Sequence, residues 1–234
     1  MGLVKLTTSE KSRKTRTYDD ACGMAHGLEL LGDRWALFVV RELMLGPRRF
    51  SDLRGSLPGI SANVLTQRLT ELEARGVLVR RRLPPPASVQ VYELTAWGYE
   101  AEPIVQELGR WAARSPGHDP TLPISGVSIL LSFRTMIDRS KLGDFDASLG
   151  FRFGEDGYRG HLDAHGFSVA QGSPDDADLL FEGRPEALAA FVYGKVPREQ
   201  LADTLTLKGD RALAERFRAR FVLPEKFVLP CGSG

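Results

Sequence analysis

The chain has almost no cysteine: Cys22 and Cys231 are the only two in 234 residues. Two cysteines so far apart form neither a disulfide framework nor a cysteine-rich zinc site, and they fit a reducing cytoplasm. Long apolar runs are missing as well. None approaches the roughly 18 residues needed to span a membrane. The opening MGLVKLTTSEKSRKTRT lacks the continuous apolar core of a signal peptide and reads as a flexible basic arm over residues 1–17. No nucleophile elbow, paired catalytic acids or phosphate-binding loop appears. "YGKV" has the Gly-Lys of such a loop but not its Ser/Thr or upstream glycine. An enzyme and a cofactor are therefore not expected.

Net charge is also small, +1 for the whole chain. It is unevenly spread. Residues 1–118 hold 17 Lys+Arg against 13 Asp+Glu, and residues 119–234 hold 14 against 17. A basic half followed by an acidic half suggests two units with different partners. "SPGHDPTLP" has linker composition, with residues 116–120 as its centre.

In the basic half, "CGMAHGLELLG" and "DRWALFVVRELMLG" read as two short helices, the first ended by Gly32 and the second capped by Asp33. Trp35, Phe38, Val39 and Leu43 recur at helical spacing and should be core. A short helix follows, with Ser51 as its cap. In "ISANVLTQRLTELEARG", Ser61 and Gly76 bracket a further helix. Its Leu65, Leu69 and Leu72 fall on one face, and Asn63, Gln67 and Thr70, with Thr66 beside them, on the other. A merely solvated face usually carries Lys and Glu instead. "VLVRRRL" and "SVQVYELT" have β-rich composition, and "PPPA" between them makes a stiff hairpin tip. "TAWGYEAEPIVQELGRWAARS" reads as one helix capped by Thr95 and kinked at Pro103. It carries more apolar residues (Ile104, Val105, Leu108, Trp111) than one small domain needs, so a dimer contact is expected there.

Short helix, turn, amphipathic helix and hairpin make the plan of a winged helix-turn-helix, in which the second helix lies in the DNA major groove. Asn and Gln pair bidentately with adenine, and Thr meets base edges or the thymine methyl. Asn63, Thr66, Gln67 and Thr70 therefore suit base reading. Ser61 sits where a phosphate is held at a helix N-terminus. Arg48 and Arg49 could grip the backbone. Arg80, Arg81 and Arg82 alternate faces along a strand, so not all three can point at DNA; a plain solvated strand is the alternative.

Residues of about 18–115 resemble the HxlR family of bacterial transcription regulators, relatives of the MarR group. The match rests on Cys22, "LELLGDRWALFVVREL", "GPRRFSDLRGSLPGIS", "VLTQRLTELEARGV" and "VYELTAWG". The resemblance implies a homodimer, joined through its terminal helices, on a pseudo-palindromic operator of double-stranded DNA, with repression as the expected mode. The tip "PPPAS" departs from the family in lacking a basic residue, which puts the wing's minor-groove contact in question. Cys22 matches a position that senses oxidants in some members. Asp19 and Asp20 disfavour its thiolate, while His26 lies one turn on; a small buried residue is the other reading.

The second half alternates helix, strand runs, helix, strand and helix, an α+β pattern with a mostly antiparallel sheet. Residues of about 121–229 resemble the sterol carrier protein type 2 fold in "FDASLGFRFGEDGYRGHLDAHGFSVAQG", "ADLLFEGRPEALAAFVYGKV" and "LTLKGDRALAERF". That resemblance implies a curved sheet around an apolar tunnel for a lipid-like effector, with Leu130, Phe133, Met136, Phe167, Leu188 and Phe191 as candidates for its wall. The same residues could simply fill the core. In "HLDAH", His161, Asp163 and His165 share a strand face, but a turn glycine follows; surface histidines are expected rather than a metal site. Residues 230–234 read as a tail. The combined expectation is a DNA-binding regulator with an appended effector or dimer-support domain. The rival reading is a lipid or small-molecule carrier whose winged helix mediates interactions.

Overall fold

The computed structural model describes residues 18–85 and 87–228. The expected N-terminal arm and C-terminal tail lie outside the described residues. Among the described residues four helices come first: α1 (Gly23–Leu31), α2 (Ala36–Leu43), α3 (Phe50–Ser56) and α4 (Ala62–Ala74). A hairpin follows, β1 (Leu78–Arg82) against β2 (Gln90–Leu94), antiparallel with Leu78 opposite Leu94. Arg48 adds a one-residue bridge to the hairpin at Tyr92.

The caps explain most of these boundaries. Ser61 Oγ accepts from the Val64 N–H at 3.3 Å, and Gly76 takes a φ of 75° that only glycine adopts without strain. Two expected caps differ. Asp33 does not cap α2, which starts after Trp35; its carboxylate instead pairs with Arg68 at 2.6 Å. Helix α3 starts after Arg49, which leaves Ser51 inside it.

The expected kinked helix is two helices, α5 (Ala96–Tyr99) and α6 (Glu102–Ala113). Thr95 caps the first as expected, accepting from the Gly98 N–H at 3.0 Å. Pro103 stands in the first turn of α6, where its missing N–H has no intrahelical acceptor to lose, so the proline starts a helix rather than bending one. Gly98 lets α5 lie close against the residue before β1: a Cβ there would stand 2.0 Å from the Val77 carbonyl oxygen.

The second unit begins with α7 (Gly126–Met136) and builds one five-stranded sheet: β3 (Ala147–Phe153), β4 (Asp156–Asp163), β5 (Gly166–Gln171), β6 (Leu179–Gly183) and β7 (Leu205–Gly209), ordered β5-β4-β3-β6-β7. Only β3 and β6 run parallel, with Phe151 beside Phe181 and their rings stacked at 5.5 Å. Helices α8 (Pro185–Val192) and α9 (Arg211–Arg218) complete it. Tyr158, Gly160 and Leu162 are buried at period two along β4, as a half-buried strand requires.

Buried residues of both units join one continuous hydrophobic cluster, from Val39 and Leu43 through Ile129 and Leu130 to Phe217. Polar ties cross the same junction. The Gln171 N–H donates to the Leu45 carbonyl at 2.7 Å, Ser125 Oγ to Glu42 at 2.6 Å, and Arg134 pairs with Glu102 at 2.7 Å.

Candidate nucleic-acid interface

Helix α4 turns Leu65, Leu69 and Leu72 into the core. Burying three leucines contributes about 1.5–3 kcal/mol each relative to exposure. Asn63, Thr66 and Thr70 are exposed on the opposite side, and Ser61 is exposed at the N-terminus. Gln67 is half-buried, with its Nε2 donating to Glu71 at 2.9 Å. It is therefore the least free of the four expected base readers. Arg68, not singled out by spacing, is buried and holds Asp33 at 2.6 Å and Glu71 at 2.7 Å. That triad fixes the roll of α4 against the turn between α1 and α2.

The cations around this face differ in availability. Arg49 is exposed at the start of α3, and so is Arg54 one turn later, a residue the hydrophobic pattern does not single out. Neither forms an ion pair among the described residues. On the wing, Arg80, Arg81 and Arg82 are all exposed. Arg80 pairs with Glu73 at 2.9 Å and lies over the Tyr92 ring. Arg81 pairs with Glu93. Arg82 Nε donates to the Ser88 carbonyl at 3.0 Å. The three line an open pocket of about 420 Å³ with Ser88 and Gln90. Exposed ion pairs of this kind are worth about 0–1 kcal/mol, so phosphate oxygens can replace either carboxylate.

The HxlR-like helix-turn-helix family profile matches residues 30–119. The uncharacterized HTH-type transcriptional regulator YvaP of Bacillus subtilis is 40% identical over 86 residues, 36% of this chain and 79% of that protein. The HTH-type transcriptional regulator YodB of the same organism is 36% identical over 89 residues, 38% of this chain and 80% of YodB. The chain belongs to the HxlR-like helix-turn-helix family. The crystal structure of quinone-bound YodB aligns with 38% of this chain and 93% of its own, at 34% identity and a TM-score of 0.34.

Within the HxlR-like unit one expected DNA contact is overturned. Arg48 is only 5% exposed. Its Nη2 donates to Asp156 Oδ2 at 2.6 Å and to Ser56 at 3.3 Å, and its Nη1 to the Tyr158 hydroxyl at 2.8 Å. Burial raises the Tyr158 phenol above its ordinary pKa, so its oxygen stays protonated as it accepts. Arg48 therefore joins the HxlR-like unit to the second unit and is closed off from solvent. Phe38 is a second correction. It is 42% exposed instead of core, because α2 turns it toward the junction.

Cys22 is exposed just before α1, so it is not a small buried packing residue. His26, one turn on, hydrogen-bonds Glu29 at 3.1 Å. In the second unit, Leu130, Phe133, Met136, Phe167, Leu188 and Phe191 are all buried. The Phe133 ring lies within 4.7–6.3 Å of the rings of Phe151, Phe167, Tyr193, Phe217 and Phe221. In this arrangement the six side chains fill the core, and none of them lines either described cavity. "HLDAH" is divided by its turn: His161 pairs with Asp146 at 3.0 Å, while Asp163 accepts from the backbone N–H of His165 at 2.7 Å.

Proposed function

We propose that this chain is a homodimeric DNA-binding transcription regulator, acting as a repressor, whose α4 reads the major groove. The observation that carries this reading is the uncharged outer face of α4 (Asn63, Thr66, Thr70), flanked by the exposed guanidiniums of Arg49, Arg54 and the wing in an HxlR-like chain. Short amides and hydroxyls read base edges. The guanidiniums supply the phosphate contacts that set register without carrying sequence information. Two copies join through α6, where Ile104, Leu108 and Trp111 form a stripe at i, i+4 and i+7, exposed by 56%, 47% and 73%. The dimer sets two α4 helices about 34 Å apart, one turn of DNA. The second unit is sterol-carrier-like, a reading supported by its mixed sheet and helix order, and it serves as effector or dimer-support domain. Exposed Cys22 is the candidate thiol for oxidant sensing.

A gel shift with the chain's own upstream promoter fragment, at moderate salt with random competitor DNA, tests the reading. A sequence-specific band is expected. A band that random DNA competes away equally well sinks it. Sedimentation of Trp111→Ser should show monomer where the wild type shows dimer.

A further inference from the structure

The larger described cavity lies at the junction of the two units, with a volume of about 720 Å³. On one side stand α2 and the turn that follows α3. On the other stand the start of α7, the turn from β3 to β4, and the turn from β6 into α8. The volume is within the range of small-molecule sites, about 300–1,000 Å³. Three aromatic rings line it, beside Leu57, Ile124 and three prolines. The Trp35 and Phe38 rings lie 5.8 Å apart with their planes tilted by 52°, and Phe153 lies against the backbone of Gly126, where a Cβ would stand 2.4 Å from the ring. Phe38 is partly exposed on α2, with the Arg41 guanidinium over its ring at 4.8 Å.

The charge of the lining has a definite sign. Asp156 is held by buried Arg48 at 2.6 Å, and Arg41 by buried Glu42 at 2.8 Å. Arg184 and Glu186 stand 3.7 Å apart. Arg34 remains, stacked on the Trp35 ring at 5.4 Å and without an ion pair among the described residues. The first turn of α7 also borders the cavity; Ser125 Oγ takes the Ser128 N–H at 3.1 Å, and the remaining first-turn N–H groups favour negative charge.

We propose that this cleft binds an amphipathic aromatic anion, a planar ring system with one carboxylate or sulfonate, and that the bound anion regulates the winged helix. The rings of Trp35, Phe38 and Phe153 hold the body, and Arg34 holds the anionic group. The wall formed by Gly55–Pro58 ends three residues before Ser61, the cap of α4. A ligand wedged between that turn and α7 sets the pose of the α4 N-terminus, and it shifts the equilibrium only by its differential affinity for the two poses. The regulatory half rests on the DNA-binding reading; the binding half does not.

The probe is 1-anilinonaphthalene-8-sulfonate, titrated into the full chain by fluorescence, with N-phenyl-1-naphthylamine as its uncharged counterpart. One saturable site is expected, with the sulfonate bound about tenfold more tightly than the neutral ring, a difference of about 1.4 kcal/mol. Arg34→Gln should erase that preference, and Phe38→Ala should weaken both probes. Both positions are solvent-accessible, and a thermal melt checks that each variant stays folded. Trp111→Ser, on the α6 stripe, should weaken neither. Equal binding of the two probes, an unaltered preference in Arg34→Gln, or loss of the site in Trp111→Ser overturns the binding site. Sulfonate at a concentration that fills the wild-type site and leaves the roughly tenfold weaker Arg34→Gln site mostly empty should also change operator affinity in the wild type and much less in the variant; a constant wild-type affinity overturns the regulatory half. A chain that shows the expected probe pattern but binds no DNA sinks the regulator reading and the coupling with it, and leaves the site standing.

Discussion

The wing and the junction both use arginines against carboxylates, with opposite consequences. On the wing, Arg80 and Arg81 meet Glu73 and Glu93 in solvent. At the junction, Arg48 meets Asp156 under cover of both units, and Tyr158 and Ser56 also accept from its guanidinium. Water screens the first pairs and leaves them exchangeable. Burial makes the second a fixed tie, because removing one partner strands the other away from water. Arg48 and Arg49 are neighbours in sequence, yet they fall on the two sides of this division.

The sharpest way to break the comparison is Arg48→Ala. It should lower unfolding stability by about 3 kcal/mol, the low end for a broken buried pair, since Asp156 keeps some solvent access. Urea denaturation measures it, and a loss no greater than that of Arg49→Ala would erase the distinction. Next in size is Asn63→Ala, which should cost about 1–3 kcal/mol at one base pair of the operator and little on random DNA. Gln67→Ala should cost less, because Glu71 already takes its amide; equal losses on specific and random DNA would remove either residue from base reading. Arg81→Ala should weaken binding to all sequences alike and reduce the slope of log affinity against log salt by about 0.9, one phosphate's share. Its folding stability should move by no more than about 1 kcal/mol. The smallest effect belongs to Cys22→Ser, which should leave operator affinity in reductant unaltered. A diamide response that persists in this variant would exclude Cys22 as the sensing thiol.

Much of the HxlR-like unit was legible in the sequence because its signals are local. Leu65, Leu69 and Leu72 at helical spacing, Ser61 before them and Gly76 after them fix α4 within a few residues. The strands of the second unit were legible for the same reason, through alternation between glycine turns. What escaped depends on partners far along the chain. Arg48 reads as a surface cation until Asp156 and Tyr158, more than 100 residues on, close over it. Phe38 reads as core because helical spacing identifies a face without saying what lies opposite. Pro103 reads as a kink because its sequence cannot tell a helix interior from a helix start. Cys22 depends on long-range burial in the same way.

Strand β5 is an edge of the second sheet. An unpaired edge offers its N–H and C=O groups to any other strand, which is a standing route to aggregation. Here part of it is already taken: the Gln171 N–H goes to the Leu45 carbonyl of the HxlR-like unit, and Arg134 of α7, itself held by Glu102 of α6, donates to the Val169 carbonyl. The front half of the chain is thus also the back half's guard against sticking to copies of itself. Cutting the chain in the segment between α6 and α7 should yield a C-terminal fragment that self-associates through this uncovered edge, so the two halves are best regarded as parts of one folding unit.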